Sequence, residues 1–513
     1  MQASKAYEKR WWTLGVVSMA LLIISIDNTI LNVALPTIER DLSADSGQLQ
    51  WIVDSYTLVF AGLLLFAGAL GDHFGRRRAL VLGLVIFGSA SAWSAMAGSA
   101  NELILSRAVM GIGGALIMPT TLSILTNVFP REERAKAIGI WAAVAGLGVA
   151  IGPVTGGFLI EQLDWTWVFL VNIPLALAAV LMAPAVVPES SDPDEAALDP
   201  MGAALSIGGL GVLVWSIIEA GGDRGWTDGT VLAGFGASIV LLGLFAIWEM
   251  RRRQPMLDMK LFRMPKFSGA SLSIGLAFFS LFGAIYFLTQ YLQGVMDMSA
   301  FESGAGTTPV ALGLVIGGPL SAKLVKRFGT RNIVSIGLVG VAAGLFLLAG
   351  LDVGSGYGQV AVSIIVLGFG MGFTMAPATE SIMSSLPASH AGVGSAMNDA
   401  VRLIGGTFGV AILGSLLSSG YRGDMETETG TLPAEGAQAA SDSFGGASAV
   451  AERVGGEAGR LLNASAEAAF TGAMSTALVV ASAVAVAGAA LAFAVLPARE
   501  RTAAAAVPEA VPA

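Results

Sequence analysis

The sequence predicts an all-α integral membrane protein, and three observations carry that prediction. Of the 513 residues, 54% are hydrophobic and only 13% charged, with a mean hydropathy of +0.73. Soluble domains carry about a quarter charged residues. Apolar runs of the roughly 20 residues a helix needs to cross a bilayer recur along nearly the whole chain. Lys and Arg crowd onto alternate connections between those runs, the pattern that orients spanning helices. Barrel strands do not fit, because they are shorter and alternate in polarity.

Fourteen runs qualify as spans: 12–35, 48–70, 79–98, 102–127, 137–160, 166–187, 200–220, 230–250, 267–291, 303–325, 332–350, 358–383, 395–418 and 472–496. The polar Asp27-Asn28-Thr29 centre of the first suits a retained helix rather than a cleaved signal. With the N-terminus in the cytoplasm and sides alternating, 21 cations fall inside, among them Arg76–Arg78, Arg251–Arg253, Lys323, Lys326, Arg327 and Arg331. Five (Arg40, Arg224, Arg422, Arg453 and Arg460) fall outside, while Arg107 and Arg402 lie within spans. Both termini are then cytoplasmic.

The chain also repeats itself. Gly71-Asp72-His73-Phe74-Gly75-Arg76 and Val325-Lys326-Arg327-Phe328-Gly329-Thr330-Arg331 each follow an even-numbered span, with their Phe-Gly pairs 254 residues apart. Two six-helix halves separated by two inserted helices account for that spacing: a first half at 1–187, an acidic linker (Glu189 to Glu195) and inserted hairpin at 188–255, and a second half at 256–498. The second half includes an extracytoplasmic stretch of about 419–470, poor in hydrophobic residues and expected to be largely disordered with an amphipathic helical part near Arg453–Ala468. A disordered cytoplasmic tail at 499–513 completes the chain. Repeats of this kind build many secondary transporters, with the site between the halves.

Composition excludes other classes. A net charge of −9 and a pI near 4.9 argue against nucleic-acid partners. Without cysteine, and with His73 and His390 both in connections, the chain offers no disulfide framework, thiolate chemistry or metal centre. No phosphate-binding Walker loop is present, which disfavours an ATP-driven pump. An enzyme is not expected, nor a cofactor; the expected partners are a small molecule, protons and membrane lipid, with the chain a monomer.

Two glycine-rich blocks stand out. Gly68-Ala-Leu-Gly71-Asp72-His-Phe-Gly75-Arg76-Arg77-Arg78 supplies glycine where a short reversal turns tightly. Its arginines serve either as a positive-inside anchor or as partners of Asp72 in a conformational lock. Gly148-Val-Ala-Ile-Gly152-Pro153-Val-Thr-Gly156-Gly157 places glycines on one face of the fifth span, permitting close helix contact, with a kink at Pro153. A bent, closely packed helix is all that these residue types demand.

Charges inside the membrane cost about 2.5–3.5 kcal/mol each and are functional candidates by default. Asp27, Asp54 and Arg107 fall at similar depth, so a shared network in which protonation frees the arginine is one reading, and a static brace the other. In the second half, Glu380 lies near an inner helix end, and Asp399 and Arg402, three residues apart, neutralise each other on one face. Asn32 in the first span and Tyr286 and Gln290 in the ninth are candidates for a cavity suited to flat apolar or cationic ligands. Tyr291 reads as part of an interfacial aromatic belt.

Several blocks in order resemble the major facilitator superfamily, and within it the fourteen-spanner drug:proton antiporters of the EmrB/QacA group. They are Asp27-Asn-Thr-Ile-Leu-Asn-Val-Ala-Leu-Pro36, Trp51-Ile-Val-Asp-Ser-Tyr56, Leu105-Ser-Arg107-Ala-Val-Met-Gly111-Ile-Gly113-Gly114, Trp165-Thr-Trp-Val-Phe-Leu-Val-Asn172-Ile-Pro174 and Gly392-Val-Gly-Ser-Ala-Met-Asn398-Asp-Ala-Val-Arg402, over about 12–418. The resemblance implies a major facilitator fold with 14 transmembrane helices in a bacterial cell membrane. It implies proton coupling at Asp27 and Arg107, gating at Asp72 and Arg76, and the antiporter motif of exporters at Gly148–Gly157. Met110 departs from it, standing where the family often has Gln. Export of drug-like molecules, antibiotics included, in exchange for protons is the expectation. Proton-coupled import on the same fold and a receptor or scaffold with a degenerate transporter fold are the alternatives.

Overall fold

The computed structural model describes residues 8–191, 198–222, 224–252, 255, 257–385, 391–429 and 432–497, with some side chains in 131–150, 391–396 and Ala434 left out. The expected tail at 499–513, linker residues 192–195 and His390 lie outside the described residues.

The first half comprises α1 (Arg10–Leu42), α2 (Ser46–Phe74), α3 (Arg76–Ala95), α4 (Ala100–Val128) and α5 (Arg131–Gln162), then a broken sixth segment, α6 (Trp167–Leu170) and α7 (Asn172–Val186). The inserted hairpin is α8 (Pro200–Gly221) and α9 (Gly229–Arg251). The second half holds α10 (Pro265–Gln290), α11 (Ala300–Thr307) leading into α12 (Pro309–Phe328), α13 (Thr330–Ala349), α14 (Tyr357–Ser384) and α15 (Ala391–Glu428). Short helices α16 (Ala434–Asp442) and α17 (Phe444–Val454) precede the long α18 (Gly456–Val495). Among the described residues, thirteen helical segments are long and apolar enough to cross a membrane; α5, described only in part, is 32 residues long.

Local signals set the ends. Asp45 and Gln48 form a capping box at the start of α2, Ser99 caps α4, and Asp199 followed by Pro200 opens α8, each supplying an acceptor to orphan helix N–H groups. The two Phe-Gly repeats end α2 and α12 with Gly75 at φ +113° and Gly329 at φ +81°, backbone conformations that suit glycine.

The repeat seen in sequence reappears as a repeat in helix packing. In the first half α1 packs on α5, α7 and α4, α2 on α4, and α3 on α4 and α7. In the second half α10 packs on α15, α18 and α14, α12 on α14, and α13 on α14 and α18. The halves meet along α2–α15, α5–α11 and α1–α10, and α8 lies across the α2–α15 seam, touching both helices. Glycines such as Gly111, Gly313 and Gly409 permit close approach along these contacts.

Hydrogen bonds between described residues join the halves on the side away from the Phe-Gly turns, here called the outer side. Gln50 Nε2 donates to Ser418 Oγ (3.4 Å), Thr57 and Thr407 share their hydroxyls (2.9 Å), and Gln293 Nε2 donates to the Val33 carbonyl (2.8 Å). Ser299 Oγ donates to Glu161 (3.2 Å), Ser46 Oγ to the Asp442 carbonyl (2.7 Å), and Gly445 N–H to Glu39 Oε1 (3.0 Å). The structure is therefore closed on its outer side.

Two expectations are corrected. The stretch at 419–470 is not largely disordered: α15 continues to Glu428, α16 and α17 follow, and α18 begins at Gly456. The expected helical part near Arg453–Ala468 is helical apart from a break at Gly455, where α17 ends and α18 begins, Gly455 and Gly456 both being at positive φ. These helices are held by contacts that composition does not show, including Phe444 against Phe470 (5.3 Å between rings) and Tyr421 Oη donating to the Ala440 and Ser443 carbonyls. Tyr291 is not in an interfacial belt; it is buried, with its hydroxyl donating to the Asp352 carbonyl at 2.7 Å.

Candidate functional site

Asp27, midway along α1, and Arg107, two turns into α4, come together in the first half. Arg107 Nη1 donates to Asp27 Oδ2 at 2.6 Å, and each residue is only 1% exposed. Arg107 Nε donates to the Ile52 carbonyl (3.3 Å), its guanidinium lies 4.3 Å from the centre of the Tyr56 ring, and Nη1 is 3.7 Å from Met110 Sδ. Asn172, at the start of α7, donates from Nδ2 to Asp27 Oδ1 (3.3 Å) and to Ser91 Oγ (3.2 Å). Both carboxylate oxygens thus have donors, as a buried charge requires. Asn172, Ser91 and Tyr56 are components that sequence reasoning did not single out. Asn172 and Tyr56 stood in resembling blocks, but only the fold brings them to the pair.

Asp54 does not join this cluster. It is fully buried, and neither carboxylate oxygen has a hydrogen-bond partner in the structure. The sequence reading placed it at the depth of Asp27 and left its face open. Gln50 and Thr57, on the same face of α2, contact Ser418 and Thr407 of α15, so Asp54 faces the seam between the halves.

The fifth-span glycines have two faces. A Cβ on Gly148 would come 2.6 Å from Ser25 Cβ, one on Gly152 would overlap Thr29 Oγ1, and one on Gly156 would come 2.6 Å from Ile30 Cγ1. Those three positions seat α5 on the stretch of α1 that carries Asp27. Gly157 faces the other half: a Cβ there would overlap the Ala300 carbonyl and lie 2.5 Å from Phe301 Cα. The Pro153 carbonyl packs against Gly304 of α11. One helix therefore touches both the stretch of α1 that carries Asp27 and the opposite half.

At the α2–α3 turn, Arg76 Nε donates to Asp72 Oδ1 at 2.7 Å, while Gly71 and Gly68 lie against Thr120 and Pro119 of α4. The linker was read only as acidic, yet Glu189 docks here. Its carboxylate accepts from Arg77 N–H (3.1 Å) and pairs with Arg77 Nε (3.4 Å) and Arg78 Nε (3.7 Å).

In the second half, Asp399 and Arg402 lie 3.6 Å apart. Arg402 Nη2 also donates to Thr379 Oγ1 (3.2 Å), and its guanidinium stands 5.5 Å from the Phe278 ring. Glu380 is exposed. Asn32 on α1 and Tyr286 and Gln290 on α10 are buried. Asn32 Nδ2 is 3.4 Å from the Asn28 carbonyl, and Gln290 Nε2 donates to the Tyr286 carbonyl at 3.0 Å.

The paired helical halves have counterparts in known proteins. A profile of the Major Facilitator Superfamily matches residues 17–410. The chain belongs to that superfamily. As a major facilitator protein it is a transporter, and it is a multi-pass protein of the bacterial inner membrane. It is 36% identical over 484 residues to the multidrug efflux pump LfrA of Mycolicibacterium smegmatis, covering 94% of this chain and 95% of that one. It is 35% identical to the puromycin resistance protein of Streptomyces alboniger, covering 83% and 85% of the two chains. Among solved structures, a bacterial homologue of the human lysosomal transporter Spinster, inward-facing and occupied, superposes with a TM-score of 0.66 over 95% of this chain and 96% of that chain. At 18% identity that likeness bears on the major facilitator fold alone.

Proposed function

We propose that this major facilitator protein exports small amphipathic, drug-like molecules, cationic ones included, in exchange for protons by alternating access. The observation that carries the reading is the buried Asp27–Arg107 pair, on the stretch of α1 against which the glycine face of α5 packs. A carboxylate held by an arginine away from water has two states of very different electrostatic energy. Protonated, Asp27 no longer offsets Arg107, and α1 and α4 are driven to a new arrangement. The α5 helix passes that change to α11 in the other half through Gly157 and Pro153. Asp54, buried at the seam, is a second group able to take a proton as the halves part.

The names of the relatives support drug-like cargo and the export direction. In this reading the chain is a fourteen-spanner of the EmrB/QacA group with both termini cytoplasmic, its domains divided at 187 and 255, and it works as a monomer because one chain carries both halves. Asn32, Tyr286 and Gln290, on the adjacent helices α1 and α10, contribute to the substrate cavity. The Asp72–Arg76 pair, beside the Arg77 and Arg78 that Glu189 holds, gates the inner side. Glu380 and the Asp399–Arg402 pair are the second half's charged complement.

Everted membrane vesicles with an acidified lumen test this. Puromycin should accumulate in them, its addition should raise luminal pH, and nigericin should abolish both effects. Puromycin uptake indifferent to the pH gradient would sink proton exchange.

A further inference from the structure

A polar cavity of about 130 Å³ opens at the outer ends of α2, α8 and α15, lined by Asp45, Gln50, Glu219, Ser418, Arg422 and Asp442 among others. By the same measure a water needs about 10–15 Å³, so the cavity holds several. It runs inward from exposed Asp45 to Gln50, which is 1% exposed. Gln50 Oε1 has no hydrogen-bond partner in the structure, although its amide nitrogen reaches Ser418. One helical turn deeper on the same face, about 6 Å along the axis, stands Asp54 with both oxygens unpartnered. Farther in, the seam is closed by the Thr57–Thr407 contact, and a gap among Leu58, Ala61, Leu210, Ile404 and Phe408 has no room for water.

We infer that this cavity is the vestibule through which a proton from the outer side reaches Asp54. The inference rests on the proposal above that Asp54 takes a proton. Water in the cavity carries the proton inward, and Gln50 Oε1 accepts a hydrogen bond from the innermost water. Hydronium there gives its proton to the Asp54 carboxylate, leaving water and a neutral carboxylic acid. The charged groups at the mouth are Asp45 capping α2, Glu219 on α8 paired with Arg224 (3.0 Å), and Arg422 on α15 paired with Asp442 at the end of α16 (3.1 Å). From the other elements, Tyr286 on α10 is buried, and Arg107 on α4 is engaged by Asp27. The inserted hairpin thereby acquires a role. The end of α8 forms one wall of the vestibule, with Gly221 tight against Ser415, and the body of α8 shields the seam from lipid.

The cysteine-free sequence permits a direct test. Ser418→Cys protein, reconstituted in liposomes, is treated from the outer side with a membrane-impermeant thiol reagent. Protonation of Asp54 after a pH jump is followed by its infrared carbonyl band, assigned by its loss in Asp54→Asn. The expected results are modification of Ser418→Cys, protonation slowed roughly tenfold or more after modification, and a similar slowing in Gln50→Leu but not Gln50→Glu, because an apolar plug breaks a hydrogen-bonded water path. Comparing the same protein before and after modification removes misfolding as an explanation. If the band appears at an unchanged rate in modified Ser418→Cys, the vestibule is overturned while Asp54 as a proton acceptor stands. If wild type shows no Asp54 band at all, the acceptor reading fails and the vestibule with it.

Discussion

Arg107 Nη1 and Asp27 Oδ2 lie 2.6 Å apart in a site sealed from solvent. Such a pair is worth little beyond an apolar substitute, but removing one partner strands the other at a cost of about 3–5 kcal/mol. Asp27→Asn should therefore lower the thermal unfolding midpoint of the purified protein markedly. Asp27→Asn/Arg107→Met should recover most of that loss while leaving puromycin uptake uncoupled from the pH gradient. A single variant as stable as wild type would show that the pair carries no such constraint.

Asn172 is the second donor to Asp27 and also reaches Ser91. Asn172→Ala leaves a buried carboxylate oxygen without its donor, a loss of about 1–3 kcal/mol. Denaturant unfolding should register it, and Asn172→Ala added to Asp27→Asn/Arg107→Met should cost distinctly less, since the charge it serves is gone.

Gly157 allows α5 to touch α11 across the halves. Gly157→Val puts side-chain atoms where the Ala300 carbonyl and Phe301 Cα now lie, so the outer side cannot close. Spin labels at single cysteines introduced at Leu163 and Asp297 should report longer distances in this variant, with transport lost and membrane insertion kept. Gly15→Ala, whose Cβ meets nothing within 4 Å, is the matched control. Unchanged distances in Gly157→Val would refute the closure argument.

Glu189 holds the arginines of the α2–α3 turn. Its side chain and that of Arg77 are each about a third exposed, so Glu189→Ala should cost less than about 1 kcal/mol of stability. The turn itself should loosen. Limited trypsin digestion from the inner side should cut at Arg77 and Arg78 several-fold faster than in wild type, and equal cleavage rates would contradict the clamp.

Glu39 accepts from the Gly445 N–H and so ties α1 to the start of α17. Glu39→Ala leaves that N–H without its acceptor, at about 1–3 kcal/mol if it stays buried. Amide hydrogen exchange should accelerate at 444–447, with the helices of the membrane body little changed. Protection equal to wild type would mean the outer helices are held elsewhere.

Several features of this protein were readable from order and composition alone. Apolar runs and alternating cations fix a helical membrane body, because a bilayer leaves the backbone few other options. Phe74-Gly75 and Phe328-Gly329, set 254 residues apart, disclosed the repeat, and glycine spacing put Gly148, Gly152 and Gly156 on one face. These are local or periodic properties, and a helix transmits them directly.

Other features needed the tertiary structure. Depth along a helix follows from counting residues, but the direction a side chain takes depends on its neighbours. Asp27 and Asp54 looked alike in sequence; packing gave one an arginine and an asparagine and left the other unpartnered at the seam. The helices at 434–454 are held by contacts that their own composition lacks, supplied by Tyr421 and Phe470 on the flanking helices and by Glu39, far off in the chain. The membrane body was thus determined by the sequence, while the grouping of charges into a paired site and a buried orphan was decided by which helix faces meet.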